Sequence, residues 1–241
     1  MSTSLTAFVA GATGYTGQQV VAALRARGAR VVAHVRSGSV FADEWQCCFE
    51  VLGVEVDRTP WEPAAMRATL ARLRPDLVFA LLGTTRRRAA AEGLDDPYER
   101  IDYGLTAVLR DAAVACGSAP RFVYLSAMGA NERSGNKYVA VRGRMERELR
   151  EGALPWLIAQ PAFVSGGDRP EFRLGERVLA VGSDALFGAL AFVGLGRVRD
   201  RYGSLTGREL GAGLVALALA DRRGRAVADV AQLRAAARSV R

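Results

Sequence analysis

Histidine occurs once in this chain, at His34, and lysine once, at Lys137. Cysteine is scarce as well: Cys47 and Cys48 are adjacent, Cys116 stands alone, and no Cys-x-x-Cys pair exists. So few nitrogen and sulfur ligands exclude a tetrahedral zinc centre. An odd number of thiols without pair spacing argues against a disulfide framework and fits a reducing cytosol. No basic stretch followed by an apolar core opens the sequence, so no secretory leader is expected. The longest uncharged apolar runs, residues 185–196 and 211–220, fall short of the roughly 20 residues a spanning helix needs. They read as core helix or pocket wall, and no membrane is expected as a partner.

What the chain has in abundance is arginine and apolar surface. Half of its 241 residues are hydrophobic, enough for one large α/β domain with a substantial core. The net charge of +8 comes from 33 basic and 25 acidic side chains. The arginines are spread from Arg25 to Arg241, with short clusters at Arg86–Arg88 and within 197–201, and no aromatic residues are interleaved. A solvated surface explains them better than nucleic acid, which is not expected as a partner.

Along the chain, apolar runs alternate with helical patterns. Residues 5–10 suit a buried parallel strand. A glycine-rich turn follows, then a helix over 18–27 stopped by Gly28, then a strand over 30–35. Further strands are expected at 51–56, 76–82, 122–125 and 156–159. Helices are expected at 62–74, from Pro97 to about Cys116, and around Tyr138. Thr206-Gly207-Arg208-Glu209 is a capping box opening a helix to about Ala220, and a last helix falls within 228–237. This alternation predicts a Rossmann-type, doubly wound, mostly parallel sheet with helices on both faces. Residues 1–241 read as a single domain, with the substrate pocket contributed mainly by 160–241, where the pattern loosens.

The first strand runs into Gly11-Ala12-Thr13-Gly14-Tyr15-Thr16-Gly17. Gly11 permits the tight turn, Gly14 lets the backbone approach a pyrophosphate, and Gly17 allows helix to pack on strand. Inside a strand–helix–strand unit, this places a dinucleotide's phosphates on the helix N-terminus, next to Thr13, Tyr15 and Thr16. Arg36 and Ser37 end the next strand where a carboxylate would select NAD; a cation there accommodates the 2′-phosphate of NADP, so NADPH is expected over NADH. Asp57 either reaches the adenine amino group or is an ordinary loop aspartate. Gly83 and Thr84 should line the cofactor's ribose side. His34 reads as a sheet residue without a role.

Tyr138 and Arg142 are four residues apart, so a helix presents both on one face. Ser126 lies at the end of the strand before that helix. The layout resembles the catalytic set of the short-chain dehydrogenase/reductase family, with arginine where that family has lysine. The glycine turn, Leu81-Leu82-Gly83-Thr84-Thr85-Arg86, Leu125-Ser126-Ala127-Met128-Gly129-Ala130 and Tyr138-x-x-x-Arg142-Gly143 occur in the order used by its atypical members. The chain looks most like the NmrA-like branch and its Tat-interacting-protein subgroup. Gln160-Pro161-Ala162-Phe163 corresponds to that subgroup's Arg-Pro-Gly segment, with both flanking residues changed.

The resemblance implies that Tyr138 donates a proton to a small carbonyl or quinone, that Ser126 holds the carbonyl oxygen, and that Arg142 supports the tyrosine and the nicotinamide ribose. It also implies cofactor contact by Pro161 and Phe163. Arginine keeps the positive charge but has a different reach and cannot relay a proton. Because the branch holds both reductases and cofactor-sensing regulators, the partner is either a small-molecule substrate or a regulatory protein. A monomer or homodimer is expected.

Overall fold

The computed structural model describes residues 5–84, 95–162, 164–165 and 204–239. Seven strands form one parallel sheet: β1 (Thr6–Ala10), β2 (Arg30–His34), β3 (Glu55–Asp57), β4 (Leu77–Ala80), β5 (Arg121–Leu125), β6 (Trp156–Ala159) and β9 (Arg225–Ala228). Their spatial order is β3-β2-β1-β4-β5-β6-β9, every neighbouring pair running parallel. Two short strands, β7 (Val164–Ser165) and β8 (Leu205–Thr206), pair separately.

Strands of a covered parallel sheet are apolar on both faces, and all five residues of β1 are buried. Successive side chains point to opposite faces, so β1 feeds two cores. Ala7 and Val9 join one, which takes in α1 (Tyr15–Arg25), α6 (Gly207–Ala220) and α7 (Val230–Arg238) through Val20, Leu24, Leu214 and Leu233. Phe8 and Ala10 join the other, with α3 (Pro63–Leu73), α4 (Thr106–Ala115) and α5 (Lys137–Glu151) through Met66, Leu70, Leu109 and Met145. Each fully buried side chain of this size contributes about 1.5–3 kcal/mol.

The capping box at Thr206 and the Tyr138 helix form where the sequence pattern puts them, while the first helix starts three residues earlier than expected, at Tyr15, and the last runs one residue further, to Arg238. Several elements differ, the short pair β7 and β8 among them. The expected strand over 51–56 is shorter and later, because Val51 ends a helix, α2 (Ala42–Val51), which buries only Ala42 and Phe49. The helix expected from Pro97 begins as a wide π-type segment, Tyr98–Leu105, before α4. Strand β9 escapes notice because it is an edge strand with only Ala228 buried.

The crevice that matters is set by topology. Chain order reverses between β1 and β4, and ligands of doubly wound sheets bind at that switch point, beyond the carboxyl ends of the strands.

Candidate functional site

At the end of β1, Gly11 adopts φ +80°, a left-handed conformation that suits glycine, and its carbonyl accepts the Gly14 N–H at 3.0 Å. The closest approach is at Gly17, where a Cβ would sit 2.0 Å from the Gly11 oxygen. Gly14 is exposed and serves as N-cap of α1; no side chain caps that helix and no acidic residue occupies its first turn. Such an end favours an anion through its N–H groups and dipole. Thr13 and Thr16 flank it half-buried, and Tyr15 turns toward α6, its hydroxyl accepting the Gly207 N–H at 3.3 Å.

A cleft opens over this turn. It is lined by Gly11, Thr13 and Gly14 in the middle, and by Leu81, Leu82, Gly83 and Thr84 after β4. On the β2 side lie His34, Val35, Arg36, Ser39 and Trp61, with Ile101 and Leu105 from the π-type segment. Arg36 is exposed at the cleft, and Ser39, whose N–H bonds the Arg36 carbonyl at 3.0 Å, lines it where Ser37 does not. Asp57 uses both carboxylate oxygens within its own turn, accepting the Thr59 N–H and hydroxyl, each at 3.0 Å.

Arg142 is buried, not extended toward solvent. One terminal nitrogen donates to Asp102 Oδ1 at 2.6 Å and to the Leu82 carbonyl at 3.0 Å, while the other donates to the Leu125 carbonyl. The guanidinium therefore bridges the ends of β4 and β5 and the π-type segment. It lies against the rings of Tyr138 and Tyr124, 5.3 and 5.5 Å from their centroids. Burial opposes the charge, yet the two phenols and Asp102 outweigh it, and the Arg142 pKa is raised. Burial pushes the Asp102 carboxyl upward against the pull of Arg142 and the Thr84 N–H, which it accepts at 3.0 Å. Burial likewise pushes the Tyr124 phenol up to about 12.

Tyr138 is half-buried, its ring edge-on to Tyr98 at 5.5 Å. Asn136 starts its helix by accepting the Tyr138 N–H at 3.0 Å. Ser126 is buried and donates its hydroxyl proton to Glu146 Oε1 at 2.5 Å. Glu146 also accepts from Gln160 at 2.8 and 2.9 Å and from Arg150 at 2.8 Å. A carboxylate so surrounded only accepts. In this arrangement Ser126 has committed its proton and offers lone pairs. Pro161 is buried, its carbonyl accepting the Met128 N–H at 3.0 Å, and Phe163 lies outside the described residues.

Tyr138, Arg142 and Ser126 thus gather around the ends of β4 and β5, although none of the three lines the described cleft itself. Asp102, Glu146 and Trp61 were not singled out by sequence. Only Asp102 carried a signal, as an acidic residue near Leu105, Thr106 and Leu109 on its helical face.

An NAD(P)H-binding family model matches residues 11–184. Protein FMP52, mitochondrial, of Debaryomyces hansenii is 31% identical over 165 residues, covering 67% of this chain and 68% of that protein. Protein HTATIP2 of Rattus norvegicus is 36% identical over 102 residues, 42% of this chain and 40% of the rat protein. The chain belongs to the NAD(P)H-binding, atypical short-chain dehydrogenase/reductase family. The matches to several curated relatives span less than half of their length, 41% and 43% in two fungal FMP52 proteins. Among solved structures, UDP-glucose 4-epimerase from Brucella ovis in complex with NAD superposes with a TM-score of 0.65 at 15% identity, covering 95% of this chain and 81% of that one. At that identity the likeness concerns the Rossmann fold of this NAD(P)H-binding protein. Among its described residues no group of histidine, cysteine and carboxylate side chains could hold a metal ion, and no helix is long and apolar enough to cross a membrane.

Proposed function

We propose that this protein is an NADPH-dependent reductase of a small carbonyl or quinone compound, with Tyr138 as its proton donor. The observation that carries the reading is the contact between the Tyr138 ring and the permanently charged Arg142, 5.3 Å away beside the strand ends that wall the cleft. The guanidinium lies over the ring face, a cation–π contact that holds the tyrosine beside those strand ends. The glycine turn and uncapped helix end fit a pyrophosphate, and Arg36 fits the 2′-phosphate of NADPH. A bound reduced nicotinamide supplies hydride; the chain's own part is to place the carbonyl and protonate its oxygen. Residues 160–241 would complete the substrate pocket.

Surface arginines such as Arg30 and Arg147 face carboxylates at 2.7 and 2.8 Å, which supports leaving nucleic acid out of this reading. We place the protein in the cytosol, as a monomer or homodimer. Fractionation would decide against the cytosol if the chain, like the fungal relatives' names, proved mitochondrial.

A second reading, a cofactor-sensing regulatory protein, draws support from the same site. Ser126 has spent its proton on Glu146, and Arg142 has spent both terminal nitrogens on the protein. The test is NADPH oxidation across aldehydes, ketones and quinones. Wild type should turn over at least one class, and Tyr138→Phe should fall by about 10²- to 10⁴-fold with NADPH affinity unchanged. Wild type that binds NADPH yet oxidises none of the panel would replace the reductase with the regulator.

A further inference from the structure

The cleft has two ends. Ser126 and Tyr138 sit on the β5 side of the glycine turn, so the nicotinamide half of a dinucleotide belongs there. The adenosine half then falls on the β2 and β3 side. Trp61 stands at that end, four residues beyond Asp57, lining the cleft together with Arg36. It is half-buried, resting on the core cluster that contains Phe8 and Met66 while remaining part of the cleft wall.

The segment that carries Trp61 is unusually well fastened. Thr59 bonds Asp57 through its N–H and hydroxyl, meets the Thr69 hydroxyl at 2.7 Å, and its carbonyl accepts from His34 Nε2 at 2.8 Å. Since a carbonyl only accepts, Nε2 carries the hydrogen. The imidazole in turn packs edge-on to the Trp61 ring, centroids 4.6 Å apart at 61°. Pro60 and Pro63 bracket the tryptophan and restrict the backbone on both sides. A large flat ring held this way loses little freedom on meeting a second flat ring.

We propose that Trp61 is the stacking wall for the adenine base of the dinucleotide, with His34 and Thr59 holding it in position. The inference rests on the dinucleotide reading of the cleft and is independent of turnover. Base–aromatic stacking is worth about 1–3 kcal/mol, so its loss should weaken binding by about 5- to 150-fold.

The experiment uses the full chain and two probes, NADPH and adenosine 2′,5′-bisphosphate, the second lacking nicotinamide and transparent to tryptophan emission. Trp61→Ala and Trp61→Leu should weaken both probes by that factor, and Trp61→Phe should remain close to wild type. The bisphosphate should quench wild-type fluorescence and leave the emission of Trp45 and Trp156 unchanged in Trp61→Phe. Should Trp61→Ala lose its fold by circular dichroism, Trp61→Leu, which keeps apolar bulk without a flat ring, decides alone. Unchanged affinity in the Leu variant overturns the proposal. Wild type that binds neither NADPH nor NADH would instead overturn the dinucleotide reading, and the proposal with it.

Discussion

Asp102 and Arg142 meet 2.6 Å apart in the interior, their side chains 0% and 5% exposed, forty residues apart in sequence. Removing one partner of a buried pair leaves the other charge uncompensated, at a cost of about 3–5 kcal/mol. Asp102→Ala should therefore lower unfolding stability by about that much in urea titrations. Arg142→Lys keeps the charge but gives up the planar fork that reaches Asp102, Leu82 and Leu125 at once; it should lose about 1–3 kcal/mol and should not gain activity. Wild-type stability in Asp102→Ala would mean that the pair does not hold the strand ends together.

Arg36 supplies a test of the proposed cofactor choice. Its charge-assisted bonds to a 2′-phosphate should make NADPH bind roughly 10- to 100-fold more tightly than NADH. Arg36→Asp should reverse that order by repelling the phosphate and accepting from the ribose hydroxyl. Fluorescence titration of both nucleotides reads the difference, and equal affinities in wild type would refute it.

The two later glycines of the turn should fail differently. A Cβ at Gly14 would lie 3.2 Å from the Gly11 oxygen, which a small adjustment accommodates, whereas one at Gly17 would lie 2.0 Å from that atom. Gly14→Val should keep its melting temperature near wild type and lose cofactor binding, because the side chain takes the pyrophosphate's space. Gly17→Ala should destabilise the fold by roughly 1–3 kcal/mol through overpacking. Both are read by thermal melts with and without NADPH.

His34 supplies a pH test. Burial lowers its pKa from the usual 6.5, against smaller opposing effects of the Thr59 carbonyl and Asp57. The unfolded chain then takes up the proton more readily, so the stabilisation is present above pH 6.5 and is lost as pH falls toward the depressed folded value. Between about pH 7.5 and about pH 5.5, wild type should lose up to about 1.4 kcal/mol more stability than His34→Gln. As the chain's only histidine, it gives one ring resonance to titrate by NMR; a folded-state midpoint at or above 6.5 would contradict the burial argument.

Much of this was legible in the residues themselves. The glycine turn, the Thr206 capping box and the apolar strands announce themselves because their signals are local. A φ of +80° at Gly11, a side chain bonded three residues along, and a continuous apolar run all depend on near neighbours. Helix α2 and strand β9 were hidden for the opposite reason. At the periphery the packed sheet decides conformation, and few of their residues are buried enough to leave a pattern.

The site divides the same way. Sequence alone placed Tyr138 and Arg142 on one helix face and the phosphate turn before α1. Only the tertiary structure turned Arg142 inward to Asp102, gave the Ser126 proton to Glu146 twenty residues away, and stood Trp61 against His34. A side chain's direction is set by whichever partner relieves its burial, and those partners come from strands and helices that meet only when the sheet closes.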